Sequence, residues 1–274
     1  MSLRRVFRAL TYPEPYRARL FRAIIRRLRL GTFLQRLEVE AVDRPGYGWC
    51  VYHAAVQARA LGHDAITVVE MGVAGGRGLL CLCDHADEVK RETGVDVAVY
   101  GFDAGSGLPR SDDPRDLLYC WPPGSFEMDV ARLRERIGTR ATLLIGDVRE
   151  TVASFRPPQT APLGAVLFDL DLYTSTVAAL KILDVSERLP RVWCWFDDIL
   201  GYPENLYCEC NGERAAINEY NAARPGRAFL SPANCFEGEP VPRYWHQQVF
   251  IDHRFDHPAY NRCLSKEPHR LPLD

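Results

Sequence analysis

The chain has 274 residues, 47% of them hydrophobic and 26% charged, which allows one large α/β domain with a full core. Its formal net charge of −2 gives the protein as a whole no electrostatic reason to bind nucleic acid. No run of about 18 apolar residues occurs, which excludes a transmembrane helix.

Residues 1–45 read as a basic helical extension ahead of one domain spanning 46–274. The stretch Met1-Ser2-Leu3-Arg4-Arg5-Val6-Phe7-Arg8 has neither an apolar h-region nor a small-residue cleavage site, so no signal peptide is expected. Without one, the nine Cys read as reduced thiols of a cytoplasmic protein. The close pairs Cys81-x-Cys83 and Cys208-x-Cys210 lack the two-residue spacing of zinc knuckles. Leu20, Phe21, Ile24, Ile25 and Leu28 recur at helical spacing among Arg17, Arg19, Arg22, Arg26, Arg27 and Arg29, with Gly31 as a stop. Such a helix packs on the main domain or on a second subunit, which would make the protein a homo-oligomer; an anionic membrane surface is the alternative. A second helix is expected over 52–61, after a turn at Arg44-Pro45-Gly46-Tyr47-Gly48.

From Ala65 short apolar strands alternate with helices. Strands are expected at 65–70, 95–103, 141–147, 164–169, 191–197 and 245–255. Helices are expected at 76–93, 128–137, 149–155, 175–183 and 213–223, and a Gly/Pro/Asp-rich loop at 104–124. This alternation implies a doubly wound, mostly parallel sheet with right-handed crossovers.

Ligands of such sheets bind beyond the carboxyl ends of the strands. Those ends carry Glu70, Asp103, Asp147, Asp169 and Asp197, an acid at each parallel strand. The first leads into Glu70-Met71-Gly72-Val73-Ala74-Gly75-Gly76, where glycines permit a tight turn and the next helix offers free N–H groups. A dinucleotide fingerprint needs G-x-G-x-x-G, but counting from Gly72 the third and sixth positions are Ala74 and Arg77. A nucleoside with a cationic amino-acid tail suits Glu70 better. Asp103 can accept from ribose hydroxyls, and Asp147 can face an adenine amino group. Singly, either acid reads equally well as a helix cap. The segments Phe168-Asp169-Leu170-Asp171-Leu172-Tyr173 and Phe196-Asp197-Asp198 place paired acids at strand ends that, in neighbouring strands, lie about 5 Å apart. Carboxylates so crowded repel, and a hard cation such as Mg²⁺ or Mn²⁺ would relieve them.

The order Glu70-x-Gly72-x-x-Gly75-Gly76, Phe102-Asp103, Gly146-Asp147, Asp169-x-Asp171-x-Tyr173, Asp197-Asp198 resembles the class I S-adenosylmethionine methyltransferases over about residues 45–255. Within them it most resembles the metal-dependent O-methyltransferases of the macrocin type, which modify sugars of antibiotics, and more distantly the catechol and caffeoyl-CoA enzymes. The resemblance implies a Rossmann-like sheet of seven strands, the last antiparallel. It implies a cofactor set of Glu70, Gly72, Ala74, Gly75, Asp103, Gly146, Asp147 and Asp169. It implies metal ligands Asp169, Asp197 and Asp198, and catalysis by Asp171 and Asp169, with Asp171 as general base. The catechol enzymes have Asp-Asn where this chain has Asp197-Asp198. The stretches 206–211 and Trp245-His246-Gln247-Gln248 match nothing in the family.

The function expected is methyl transfer from S-adenosylmethionine to a hydroxyl of a small molecule, a natural product with a vicinal diol on a sugar or a catechol-like group. The aromatic stretch Tyr119-Cys120-Trp121-Pro122 is a candidate cover for the site. His53 and His246 are rival bases with readier structural roles. The competing readings are a cofactor-binding protein without catalysis and a nicotinamide or flavin oxidoreductase.

Overall fold

The computed structural model describes residues 16–234, 243–262 and 264. The chain divides into two compact units, Met1–Pro45 and Gly46–Asp274. The stretch 1–8, read above for a leader, lies outside the described residues, as do Cys235 and Cys263. No described helix is long and apolar enough to cross a membrane. The seven described cysteines are all free thiols.

In the first unit, α1 (Tyr16–Leu28) sets Tyr16, Leu20, Ile24 and Leu28 at four-residue spacing, and all four are exposed. Arg22 pairs with Glu40 at 3.4 Å and Arg26 with Asp43 at 2.5 Å. A capping box starts α2 (Phe33–Glu38): Thr32 Oγ1 accepts from the Gln35 N–H at 3.2 Å, and Gln35 Oε1 accepts from the Thr32 N–H at 3.0 Å.

The next helix, α3 (Pro45–Leu61), begins seven residues before the expected start, so the expected turn at 44–48 is its first turn. Pro45 occupies the first helical position, where its missing N–H is harmless. Gly46 is explained by packing. A Cβ there would stand 1.9 Å from Trp195 Cζ3, so only glycine lets the helix lie on the sheet.

The sheet is formed by β1 (Ala65–Met71), β2 (Asp96–Asp103), β3 (Thr142–Ile145), β4 (Leu163–Phe168), β5 (Arg188–Phe196), β6 (Ala228–Pro232) and β7 (Val249–Arg254). Their order is β3-β2-β1-β4-β5-β7-β6. The first five are parallel, and β7 runs antiparallel to both β5 and β6. The expected seven-stranded sheet with an antiparallel last strand is therefore present. Strand order reverses between β1 and β4, which opens a crevice at their carboxyl ends.

The connecting helices are α4 (Arg77–Thr93), α5 (Val130–Ile137), α6 (Val148–Ser154), α7 (Tyr173–Ala179) and α8 (Gly212–Ala222). On one face Met71, Phe168 and Phe196 pack with Val152, Ala179 and Ile217 of α6, α7 and α8. Phe168 and Phe196 stack at 4.7 Å. On the other face Ala54 of α3 and Ile66 of β1 close over Gly164. Beneath β5 and β7, the Arg188 guanidinium donates to Asp252 Oδ2 at 2.6 Å, and Tyr220 donates to Asp252 Oδ1 at 2.9 Å, all buried.

Two further differences from expectation lie at element ends. The helix expected over 175–183 is α-helical to Ala179 and tightens to 3₁₀ over Leu180–Asp184. The strand expected over 245–255 opens with a 3₁₀ turn, Tyr244–Gln248, and becomes extended at Val249. The unforeseen strand β6 lies at one edge of the sheet, opposite β3. There the Asn221 side chain accepts from the Leu230 N–H and donates to the Leu230 carbonyl, both at 2.8 Å.

Candidate functional site

At the end of β1 the chain must turn while passing between two strands. Gly72, at φ +85°, donates to the Phe102 carbonyl at 2.9 Å, while Met71 accepts from the Asp169 N–H at 2.9 Å. A Cβ on Gly72 would stand 1.8 Å from the Asp169 carbonyl oxygen. Ala74 is left-handed at φ +45°, a conformation an L-residue adopts at a cost. Gly76 repeats it at φ +78° against Leu133.

Asp103 ties this turn down. Its Oδ2 accepts from the Val73 and Ala74 N–H groups at 2.8 Å each, and its Oδ1 from the Gly105 N–H at 2.6 Å. Gly146 donates to the Asp103 carbonyl at 2.9 Å, so the ends of β2 and β3 meet at the same place. Glu70 is 1% exposed, and its Oε1 lies where a Cβ on Gly78 would fall, against the first turn of α4. Gly75 is different: a Cβ there would meet nothing within 4 Å, so no packing in the described chain requires its missing side chain.

Asp147 takes the cap role weighed for it. It is the N-cap of α6, accepts from the Arg149 N–H at 2.8 Å, and is ion-paired with the Arg149 guanidinium. Those bonds hold its carboxyl below the usual carboxylate range.

The second half of the site is acidic. Asp169 Oδ2 accepts from the Tyr47 hydroxyl at 3.3 Å. Asp197 Oδ1 accepts from Trp195 Nε1 at 3.1 Å, and its carbonyl from Gln248 Nε2 at 2.8 Å. Asp171 sits at φ +60° in a tight turn closed by Leu172 N–H to Leu170 O at 2.6 Å. Burial, followed by the charges of Asp169 and Asp197, pushes the Asp171 carboxyl up to about 7. Asp198 points inward. Its Oδ2 accepts from the Asp171 N–H at 2.9 Å and its Oδ1 from the Tyr207 hydroxyl at 3.1 Å. Glu213, fully buried at the start of α8, accepts from the Asp198 N–H at 2.9 Å through Oε2, while its Oε1 meets no partner. Burial and the neighbouring acids raise Asp198 and Glu213 well above the usual range.

The donor set, oxygen-only and self-repelling, has the chemistry a hard divalent cation needs. Asp198 accepts one hydrogen bond on each carboxylate oxygen, from the Asp171 N–H and the Tyr207 hydroxyl. Among the described residues no three His, Cys, Asp or Glu side chains are grouped to hold a metal ion.

Several residues here were not foreseen. Buried Asp116, in the loop after β2, accepts from the Thr174 N–H and hydroxyl at 2.7 Å each and so anchors that loop to α7. Tyr119 donates to the Asn205 carbonyl at 2.9 Å, so the aromatic stretch spans to the loop after β5. Tyr47 lies 122 residues from Asp169, which it touches, while Tyr207 and Glu213 follow Asp198 by 9 and 15 residues. Of the rival bases, His53 is stacked on Trp193 at 5.0 Å, and burial lowers its pKa to about 4. His246 lies edge-on to Trp245 at 4.4 Å.

The strand order and the crevice at the β1/β4 reversal define a Rossmann-like methyltransferase fold. No protein-family model matches the chain, and no curated protein does. Among solved structures the chain is similar to the O-methyltransferase NovP, with a TM-score of 0.53 and 17% identity over 77% of this chain and 80% of that one. It also aligns with CalS11, a calicheamicin methyltransferase, at a TM-score of 0.48 and 18% identity over 89% of this chain and 93% of that one. At such identities the likeness is one of fold.

Proposed function

We propose that the protein is an S-adenosylmethionine-dependent O-methyltransferase acting on a small-molecule hydroxyl, a vicinal diol of a sugar or a catechol-like group of a natural product. The observation that carries this reading is the juxtaposition of the Gly72–Gly76 turn with Asp169 and Asp171 across the β1/β4 crevice. That the neighbour NovP is an O-methyltransferase supports it.

Glu70, Gly72, Ala74 and Gly75 would receive the amino-acid end of the cofactor, with Asp103 beside the ribose. Gly146 and Asp147 border the adenine side, Asp147 through its backbone, since its carboxylate is committed to Arg149. Asp169 lies between the two halves. The chain's main contribution is alignment of the acceptor oxygen with the methyl group, which supplies several kcal/mol of the barrier. That oxygen forms its bond to the methyl carbon as the carbon–sulfur bond breaks, with the bonding electrons going to sulfur. The hydroxyl proton passes to Asp171, whose carboxyl titrates near neutrality.

Magnesium or manganese dependence belongs to the same proposal. The ligands assigned are Asp169, Asp197 and Asp198. When bound, the cation would lower the pKa of a chelating hydroxyl.

Calorimetry with S-adenosylmethionine and with NAD, each with and without Mg²⁺, tests the reading. Binding of S-adenosylmethionine alone is expected. Binding of NAD instead points to an oxidoreductase, against which the glycine spacing stands. Binding without turnover on any diol panel points to a non-catalytic protein. Turnover by folded Asp197→Ala in excess chelator removes the metal from the mechanism.

A further inference from the structure

The proposed reaction draws on none of residues 1–45, yet that stretch has a charge character of its own. It holds 11 Arg against 4 acids, a net charge of +7, while residues 46–274 carry −9.

A helix packed on a protein ordinarily buries its apolar stripe. In α1 the arrangement is inverted. Tyr16, Leu20, Phe21, Ile24 and Leu28 are 38–70% exposed, and no residue of the helix is buried. At 3.6 residues per turn these five side chains span an arc of about 140°. Arg22 and Arg26 stand on the opposite side, where they pair with Glu40 and Asp43 of the same unit. The ion pairs thus hold the Arg-rich side of α1 inward and leave the apolar stripe outward. Arg17 and Arg27 fall within the arc, one towards each end of the helix, and both are exposed. Their stems can run along apolar surface while the guanidinium groups stay in a polar layer.

An outward stripe of this kind marks an interaction surface, and charge decides its partner. A second copy presents the same +7, so pairing two such extensions brings like charges together. A nucleic acid answers the charge but offers nothing to Leu20, Ile24 and Leu28. An anionic lipid surface answers both: the acyl boundary takes the stripe, and headgroup phosphates take Arg17 and Arg27. We propose that α1 lies in the plane of an anionic membrane surface, its Tyr16–Leu28 stripe set into the headgroup–acyl boundary. The −9 of residues 46–274 is repelled by the same surface, so attachment runs through the extension and weakens as salt rises. This surface is independent of the reaction proposed above.

The test uses the full chain and vesicles of phosphatidylcholine with or without phosphatidylglycerol, read by co-sedimentation. Two double variants alter exposed positions of α1, with circular dichroism to confirm folding. The wild type is expected to pellet with the phosphatidylglycerol vesicles at low salt, and to bind phosphatidylcholine alone about ten-fold less. Leu20→Ser with Ile24→Ser, which leaves the charge unchanged, should weaken binding about five-fold or more. Arg17→Glu with Arg27→Glu should weaken it about ten-fold or more. No pelleting of the wild type, or unchanged pelleting of either variant, overturns the proposal. Light scattering without lipid tests the rival partner: a wild-type dimer that Leu20→Ser with Ile24→Ser splits into monomers assigns the stripe to a second copy and overturns the membrane surface.

Discussion

Gly72 and Asp169 meet backbone to backbone, so that a Cβ on Gly72 would stand 1.8 Å from the Asp169 carbonyl oxygen. The loop proposed to receive the cofactor and the loop that carries the acids are thus held at a distance only a glycine allows. Gly72→Ala adds two penalties. Its φ of +85° costs an L-residue about 1–2 kcal/mol, and the clash must push the β4 loop away. Loss of S-adenosylmethionine affinity by about ten-fold or more is expected in calorimetry, with the sheet intact by circular dichroism. Unchanged affinity would mean that the two loops do not form one site.

Asp171 is the base in the proposed reaction. Asp171→Asn is expected to lower kcat by about 10²–10⁴ with little change in cofactor affinity. Because the base works deprotonated, kcat/KM of the wild type should rise as pH increases through about 7 and fall below it. A flat profile between pH 6 and 8, or a variant of normal kcat, assigns the proton elsewhere.

His53 predicts how stability depends on pH. Burial against Trp49 and Trp193 lowers its pKa from 6.5 to about 4. The unfolded chain therefore takes up the proton first. The stability is fully present above about pH 6.5, falls as pH drops through the window to about 4, and then levels. The loss is on the order of 3 kcal/mol at most. Denaturant titrations of wild type and His53→Phe across pH 4–7 check this, and equal slopes in the two proteins would contradict it.

Asp252 predicts stability without function. It is fully buried and bonded to Arg188 and Tyr220. Asp252→Ala strands the Arg188 charge and should cost about 3–5 kcal/mol. A large fall in Tm is expected in calorimetry while the folded fraction keeps its S-adenosylmethionine affinity. A Tm within about 2 °C of wild type would show that the pair is dispensable.

Much of the sheet was legible because period and punctuation are local. The strands ending at Glu70, Asp103 and Asp169 carry apolar runs followed by turn residues, and each terminal acid falls within the sheet's carboxyl edge. What was not legible depends on partners distant in sequence. Pro45-Gly46-Tyr47-Gly48 reads as a turn until Trp195 is known to lie against Gly46. β6 is too short and too interrupted to stand out, and its extended form is fixed by pairing with β7. The paired acids Asp197 and Asp198 look equivalent in the sequence. The fold separates them, since Tyr207 and the Asp171 N–H turn Asp198 inward while Asp197 stays half-buried near Trp195. Glu213 gave no signal at all, being an ordinary acid at a helix start.

The side chain of Asn221 occupies both hydrogen-bonding groups of Leu230 at the middle of β6. A sheet's outer strand is where a stray chain would most readily add itself, rung by rung, and continue the ladder into an aggregate. Here the central rung is already taken by an amide of the same molecule. The protein thus keeps its edge strand from templating growth with a side-chain amide at its middle and Pro232 at its end, and a single Asn221→Leu exchange would reopen the central rung.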